Sequence, residues 1–125
     1  MVARFRALIR SFRFAGAGIA HTLRTEKNLQ IHALATVAVV ALGFLCEISA
    51  AEWCAVLLAI GLVWAVELLN SAIERLGNAI TRDTNEHIRH AKDAAAGAVL
   101  LAAVAAAAVG AIVFLPKLAE FFQKP

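Results

Sequence analysis

Three long apolar segments dominate the chain, and charged residues cluster between and before them. The first segment, residues 29–46, and the third, residues 94–115, contain no charged residue. The second, residues 53–73, is interrupted near its end by Glu67 and Asn70. Because about 20 apolar residues in a helix span the hydrocarbon core of a bilayer, the pattern predicts three transmembrane helices over these ranges.

The segment before the first span has a different pattern. Residues 2–22 carry apolar side chains at helical spacing and arginines away from that stripe. The apolar stripe consists of Val2, Phe5, Leu8, Ile9 and Phe12, and the arginines are Arg6, Arg10 and Arg13. The pattern predicts an amphipathic helix in the membrane surface with its arginines toward anionic lipid headgroups. We expect Gly16 and Gly18 to interrupt or end this helix and Thr25 to cap the next one.

The third span is rich in alanine, and small residues allow helices to approach closely in lipid. It is therefore expected at the centre of a bundle, with Pro116 ending it. Three helices form a thin monomer, which we expect to be unable to shield a buried carboxylate from lipid. The predicted fold is all-α: one integral-membrane domain over residues 1–125, assembled as a homo-oligomer.

The composition agrees with a membrane protein. Hydrophobic residues make up 62% of the chain, whereas soluble domains contain roughly 45–50%. The basic residues are few and close to the predicted spans, which fits lipid headgroups and argues against a nucleic-acid partner. Cys46 and Cys54 could pair in an oxidising compartment or remain as two buried free thiols, the alternative that we favour.

Lysine and arginine are distributed unequally among the predicted connections. They precede the first span and occupy the loop over residues 75–92, whereas the link over residues 46–53 has none. The positive-inside rule therefore predicts a cytoplasmic N-terminus and a cytoplasmic 75–92 loop. The short link and the C-terminus, with Lys117 and Lys124, are then outside. The first 28 residues are too charged for a signal peptide.

Glu67, Asn70 and Glu74 lie at positions i, i+3 and i+7, with Ser71 beside them. On a helix they form one polar stripe about 10 Å long. A charged group at the bilayer centre costs at least about 2.5 kcal/mol, so the stripe must face protein or water. Pairing of Glu74 with Arg75 or a loop lysine would explain Glu74 without any function. It would not explain Glu67, which is two turns deeper.

Each span also brings charge to the same predicted membrane face. Glu26 precedes the first span, Glu74 ends the second, and Lys92 and Asp93 precede the third. Two carboxylates from different helices could hold Mg²⁺, which usually takes one or two carboxylates plus substrate phosphates. A nearby lysine could meet a phosphate. Each charge taken alone could equally be a solvated flank.

Two stretches, ELLNSAIE at 67–74 and AKDAAAGAVLL at 91–101, together resemble the signature of the prokaryotic diacylglycerol kinase family. These are small three-span lipid kinases that include the undecaprenol kinases. TEKNLQIH at 25–32 resembles the family's segment before its first span, and the resemblance covers roughly residues 10–115. It implies a homotrimer in the bacterial cytoplasmic (inner) membrane, with an active site at the cytoplasmic interface shared between neighbouring subunits.

The resemblance implies that ATP phosphorylates a lipid alcohol, either undecaprenol or diacylglycerol. Glu67 would be the general base, and Asn70 would orient Glu67 or the phosphates. Glu26 and Glu74 would hold the Mg²⁺ that bridges the ATP phosphates. Further nucleotide contacts would come from the loop and the start of the third span: Asp83, Thr84, Asn85, Lys92 and Asp93.

Two positions depart from the family pattern. Asn78 stands where the family often has Asp, which weakens a structural or nucleotide-contacting role there. Ala96 stands where some members have a hydroxyl residue. The KDAAAGAV form resembles the undecaprenol kinase branch more closely.

A hypothesis from a different class stays open. The chain could be a non-enzymatic membrane oligomer that conducts protons or cations through Glu67 and Glu74. The Lys92-Asp93 pair and Glu26 favour the kinase, because a proton path does not need a lysine that faces a phosphate.

Overall fold

The computed structural model describes residues 1–123, apart from the side chains of Val2, Ala3 and Phe122. Its elements are four α-helices in this order: α1 (Val2–Thr25), α2 (Lys27–Leu45), α3 (Ala50–Ile80) and α4 (Glu86–Gln123). Of these, α2, α3 and α4 are long and apolar enough to cross a membrane. The predicted all-helical fold with three spans is confirmed at this level. Lys124, predicted to lie outside the membrane, is beyond the described residues.

The three long helices pack antiparallel to their neighbours in the chain. Near the end of α3, Gly77 lies against Ile88 of α4. Towards the start of α3, Val56 shares a small apolar core with Val113 of α4. Residue numbers therefore fall along α3 as they rise along α4, and this register fixes which side chains meet around the middle of the bundle.

The link between α2 and α3 is a tight turn with a left-handed residue. The N–H of Ile48 donates to the carbonyl of Gly43, and the N–H of Glu47 donates to the carbonyl of Phe44, both at 3.2 Å. This pair of bonds is the Schellman arrangement at a helix C-terminus. Glu47 occupies its left-handed position with φ of 48°, where glycine is the usual residue.

The start of α3 is capped by its own side chains. The Ser49 hydroxyl accepts from the N–H of Glu52 at 3.3 Å, and the Glu52 carboxylate accepts from the N–H of Ser49 at 2.6 Å. This reciprocal capping box satisfies two backbone donors that the helix leaves free. The turn and the cap together bring α3 back beside α2 within four residues.

The boundary between α1 and α2 differs from the predicted one. α1 runs through Gly16 and Gly18 to Thr25, because a glycine inside a helix costs only about 1 kcal/mol relative to alanine. Thr25 does not cap α2; its hydroxyl donates to the carbonyl of His21 at 3.0 Å. Glu26 is the residue between the helices, with an extended backbone at φ −106° and ψ 117°.

The end of the third span also differs. α4 continues through Pro116 to Gln123, although proline removes one helical hydrogen bond. Proline is tolerated in membrane helices when neighbouring groups satisfy the freed carbonyl. Directly after it, Lys117 Nζ lies 3.4 Å from Glu52 Oε2, so an ion pair joins this part of α4 to the start of α3.

Burial within one chain corrects two expectations. The side chain of Glu67 is only 2% exposed in the single chain, so the argument that a monomer could not shield it is wrong. The homo-oligomer itself stays a prediction. Cys46 and Cys54 are both free thiols, as expected, but Cys46 is half-buried and Cys54 is exposed rather than buried.

Candidate functional site

The polar stripe of α3 runs from the interior of the bundle to its surface. Glu67, Asn70 and Ser71 are buried, with 2%, 7% and 4% of each residue exposed. Glu74, one turn further along the helix, is exposed. The deeper part of the stripe therefore faces protein, as predicted, and the other end opens to the surroundings.

The neighbouring helices cover Glu67 from two sides. On α2, the hydroxyl of Thr36 accepts a hydrogen bond from Trp64 Nε1 of α3 at 2.9 Å. This register brings Leu29, which is fully buried, level with Ser71. On α4, the antiparallel register brings Ala102, also buried, level with Glu67. The buried faces of α2 and α4 therefore lie at the same level of the bundle as the stripe.

Two buried oxygens of the stripe lack a partner. Glu67 Oε2 and Asn70 Oδ1 have no hydrogen-bond partner among residues 1–123. A buried polar atom left unpaired costs about 1–3 kcal/mol, more when it is charged, and such atoms are few in folded proteins. These oxygens are thus positioned to receive a proton or donor group from something other than the described chain.

A second carboxylate lies at the junction of α1 and α2. Arg75 Nη2 of α3 donates to Glu26 Oε1 at 2.9 Å and also hydrogen-bonds the Thr25 hydroxyl. The junction is reinforced by Gln30, whose side-chain amide donates to the carbonyl of Leu23 at 3.1 Å. The suggested pairing of Glu74 with Arg75 is therefore wrong. Consecutive helical residues do not face each other, and the arginine reaches across to the junction of α1 and α2.

A polar cavity of about 500 Å³ lies where α3 ends and α4 begins. Its wall lacks the predicted Mg²⁺ ligands Glu26 and Glu74 but contains all five residues predicted to contact the nucleotide: Asp83, Thr84, Asn85, Lys92 and Asp93. Ligand cavities usually measure about 300–1,000 Å³. The cavity thus has the size of a small-molecule site and gathers the residues that were predicted to act together.

The rest of the cavity wall was not predicted as part of the site. It consists of Asn78, Thr81, Arg82, Ile88 and Arg89. With Lys92, the two arginines give three positive charges against the two carboxylates of Asp83 and Asp93, so the wall favours an anionic ligand. Arg82 and Arg89 lie on either side of the predicted residues 83–85. This position in the sequence could have indicated that the two arginines belong to the site.

The connection between α3 and α4 is held by its own polar side chains. Asn85 Oδ1 accepts from the N–H of Ile88 at 3.1 Å, which caps the start of α4. Thr81 Oγ1 accepts from the N–H of Asp83 at 3.0 Å. The cavity is therefore built on a short, internally bonded turn between two long helices.

Lys92 reaches from α4 back to α3. Its Nζ donates to Asn78 Oδ1 at 2.6 Å, and its stem crosses the surface of Gly77. From Asn78 to Glu67 is 11 residues of α3, or about 16 Å along the helix axis. Glu74 and Asn70 lie between these two, so polar side chains connect the cavity with the buried carboxylate.

A second, apolar cavity lies on the other side of Glu67 from the polar one and begins one helical turn before Glu67. It has a volume of about 210 Å³ and lies among α2, α3 and α4. Val63 and Trp64, at the turn before Glu67, line it together with alanines and valines of the other two helices. The buried carboxylate therefore lies between a polar cavity and an apolar one.

The donor set suits a hard cation held partly by other ligands. Among the described residues, no three His, Cys, Asp or Glu side chains form a metal-binding group. Mg²⁺ does not need one, since it usually keeps several waters and takes one or two carboxylates plus phosphates. Glu74 is exposed beside the polar path, and the pair with Arg75 uses one oxygen of Glu26. The carboxylate oxygens of Glu26 and Glu74 are of the donor type that Mg²⁺ takes, and their role as its ligands stays a prediction.

Comparison with known proteins shows which family this sequence resembles. Residues 13–114 match the sequence profile of the family described as prokaryotic diacylglycerol kinase. The chain is 49% identical over 109 residues to undecaprenol kinase of Bacillus subtilis, covering 87% of this chain and 89% of that one. It is 40% identical over 112 residues to diacylglycerol kinase of Synechocystis sp., covering 89% of this chain and 64% of that longer one.

Proposed function

The chain belongs to the prokaryotic diacylglycerol kinase family of lipid kinases, and we propose that it transfers the γ-phosphoryl group of ATP to undecaprenol. The relative named undecaprenol kinase is the more similar of the two compared and is matched over most of its length. Diacylglycerol is the second candidate acceptor. Both alcohols present a primary hydroxyl at the membrane interface.

The observation that carries the proposal is the buried carboxylate of Glu67 with an unpartnered oxygen. We assign it as the general base. The lipid hydroxyl gives its proton to Glu67 as its oxygen attacks the γ-phosphorus. The bond between that phosphorus and the β,γ-bridging oxygen breaks, and ADP leaves with the electron pair. Asn70, one turn further along α3, would orient the carboxylate or the phosphates through its side-chain NH₂ group, which donates hydrogen bonds.

ATP occupies the polar cavity in this proposal. The cationic side chains of Arg82, Arg89 and Lys92 in its wall favour a polyphosphate. Positioning and charge neutralisation account for most of the catalysis of phosphoryl transfer. Asp83, Thr84, Asn85 and Asp93 provide polar contacts for the remainder of the nucleotide.

Glu26 and Glu74 would hold the Mg²⁺ ion, which neutralises charge on the ATP phosphates when bound. Glu26 is anchored by Arg75 at the start of α2. Glu74 lies on α3 between the buried base and the polar cavity. Glu26 lies at the junction of α1 and α2 and Glu74 lies on α3, so the metal site depends on the packing of this junction against α3.

The lipid enters from the apolar side. The cavity of about 210 Å³ beside Glu67 provides an apolar environment for the part of the lipid next to its hydroxyl group. The exposed arginines of α1 provide contacts for anionic headgroups. We further propose that the chain forms a homotrimer in the bacterial inner membrane, with its N-terminus in the cytoplasm and its C-terminus outside.

The test is transfer of labelled phosphate from ATP in the presence of Mg²⁺, with purified protein in mixed micelles that contain either undecaprenol or diacylglycerol. The proposal predicts a labelled product with undecaprenol. A product with diacylglycerol alone would reassign the acceptor. If folded protein labels neither lipid, the kinase is contradicted. Proton flux across liposomes that contain the protein would then support the conducting oligomer.

A further inference from the structure

Lys92 is a cation of the polar cavity whose side chain the structure shows hydrogen-bonded to the opposite helix. Its ammonium group donates to Asn78 Oδ1 at 2.6 Å. Its stem lies over the bare backbone of Gly77: a Cβ at that position would come within 2.9 Å of Lys92 Cε. Two consecutive residues of α3 therefore define where this side chain of α4 lies.

This arrangement orders a side chain that is otherwise flexible. A free lysine samples many rotamers. Fixing it on a ligand costs conformational entropy, and this cost weakens binding. When the protein already holds the lysine in place, that loss occurs on folding rather than on binding. A Cβ at residue 77 would lie 2.9 Å from both Lys92 Cε and Ile88 Cγ2, so the lysine stem and the isoleucine side chain would have to shift.

The chemistry of the acceptor matters as well. An amide oxygen accepts one proton of an ammonium group that has three. Because the amide is neutral, Lys92 keeps its full positive charge and two further donors for a phosphate. Lys92 shares the wall of the cavity with four other charged groups: the carboxylates of Asp83 and Asp93 and the guanidinium groups of Arg82 and Arg89.

We infer that Asn78 and Gly77 are positioning residues for Lys92, which they hold in place for the phosphates of ATP. The inference rests on the proposed function. Asn78 acts through Lys92 and does not need to touch the nucleotide. Asn78 stands where the family often has Asp, and this difference weakened the expectation of a structural or nucleotide-contacting role. The inference gives Asn78 a positioning role instead.

The experiment measures the affinity of full-length protein in detergent micelles for a non-hydrolysable ATP analogue with Mg²⁺, by titration calorimetry. Asn78→Leu removes the acceptor and keeps the branching and the number of heavy atoms of the side chain, and we expect affinity to fall about 5–10-fold, in the range of a partly exposed hydrogen bond to a charged group. Asn78→Asp keeps an acceptor oxygen but places a negative charge beside Lys92, so its affinity should fall by less than that of Asn78→Leu without reaching that of wild type. Ala79→Leu, at an exposed position on the same turn, is the matched control and should bind like wild type.

A double-mutant cycle separates positioning from a merely structural effect. In a Lys92→Met background, Asn78→Leu should cause no further loss of affinity, because there is no ammonium group left to hold. Gly77→Ala should weaken binding in the wild-type background while the thermal midpoint shows a folded protein.

The outcomes distinguish the two levels of the argument. If Asn78→Leu binds as tightly as wild type, or loses the same factor with and without Lys92, the positioning role is wrong and the kinase proposal stands. If wild-type protein neither binds the analogue nor transfers phosphate, the proposed function fails and the positioning role fails with it.

Discussion

Arg75 Nη2 lies 2.9 Å from Glu26 Oε1 and joins the C-terminal part of α3 to the junction between α1 and α2. The side chains are 40% and 32% exposed, respectively. Exposed ion pairs contribute about 0–1 kcal/mol to folding, so this pair adds little to stability. Its consequence is positional, because it fixes a carboxylate proposed to hold Mg²⁺.

Replacing this arginine should therefore affect metal dependence more than stability. We expect Arg75→Met to raise the Mg²⁺ concentration at half-maximal rate, because Glu26 loses the group that orients it, while the free energy of unfolding falls by at most about 1 kcal/mol. Initial rates across a Mg²⁺ titration measure the first effect, and thermal unfolding in detergent measures the second. Arg24→Met, at an exposed arginine near the same junction, is the control. A lower Mg²⁺ requirement in Arg75→Met would show instead that Arg75 competes with the metal.

The second proposed metal ligand gives an independent prediction. Glu74→Ala should raise the Mg²⁺ requirement and lower the maximal rate, because it removes one of two carboxylates that a Mg²⁺ ion typically uses. Glu120→Ala, at an exposed carboxylate on α4 far along the chain from the site, should leave both quantities unchanged. An unchanged Mg²⁺ dependence in the Glu74 variant would contradict its assignment as a ligand.

The helices were predictable from the sequence because charge-free apolar runs have few alternatives. Their ends were not, because proline and glycine act in context. Pro116 lies inside α4, and Gly16 and Gly18 lie inside α1. In each case the signal for a helix end is real but worth only a few kcal/mol or less, and it is outweighed by the rest of the helix.

The site was predictable in part for a similar reason. Helical spacing placed Glu67 and Asn70 on one face of α3, and the cost of a charge in the bilayer required that face to meet protein or water. That a single chain buries Glu67 depends on how the three helices pack, which was not predicted. The contact between Lys92 and Asn78 depends on the register of α3 against α4, which no local pattern specifies. The same holds for the pairing of Arg75 with Glu26, where the sequence suggested its neighbour Glu74 instead.

The turn between α2 and α3 offers a test of stability that is separate from activity. Glu47 has a left-handed backbone, which costs a residue with a Cβ about 1–2 kcal/mol. Glu47→Gly should raise the free energy of unfolding by about 0.5–1 kcal/mol, the remainder being offset by the greater freedom of glycine in the unfolded chain. Glu47→Ala removes the same charge but keeps the Cβ, so it should show no such gain. Equal thermal midpoints for the two variants would contradict this explanation.

Close packing near the same turn gives the opposite prediction. A Cβ on Gly43 would lie 2.7 Å from Trp53 Cη2, so Gly43→Ala should destabilise the fold by about 1–3 kcal/mol, as overpacking does. At Gly61, also within a helix, a Cβ would meet no atom within 4 Å. Gly61→Ala should leave stability unchanged or raise it slightly. Thermal unfolding of the two variants side by side measures the difference, and equal destabilisation would contradict it.

The central claim is that Glu67 accepts the proton of the lipid hydroxyl. The most direct measurement is kcat for phosphate transfer to undecaprenol by Glu67→Gln, compared with wild type and with Ser71→Ala, a buried neighbour on the same helix face. Glutamine keeps the shape of the side chain but cannot take the proton, so kcat should fall by about 10²–10⁴-fold, with Ser71→Ala close to wild type. A folded Glu67→Gln variant that retains most of its turnover would contradict the account.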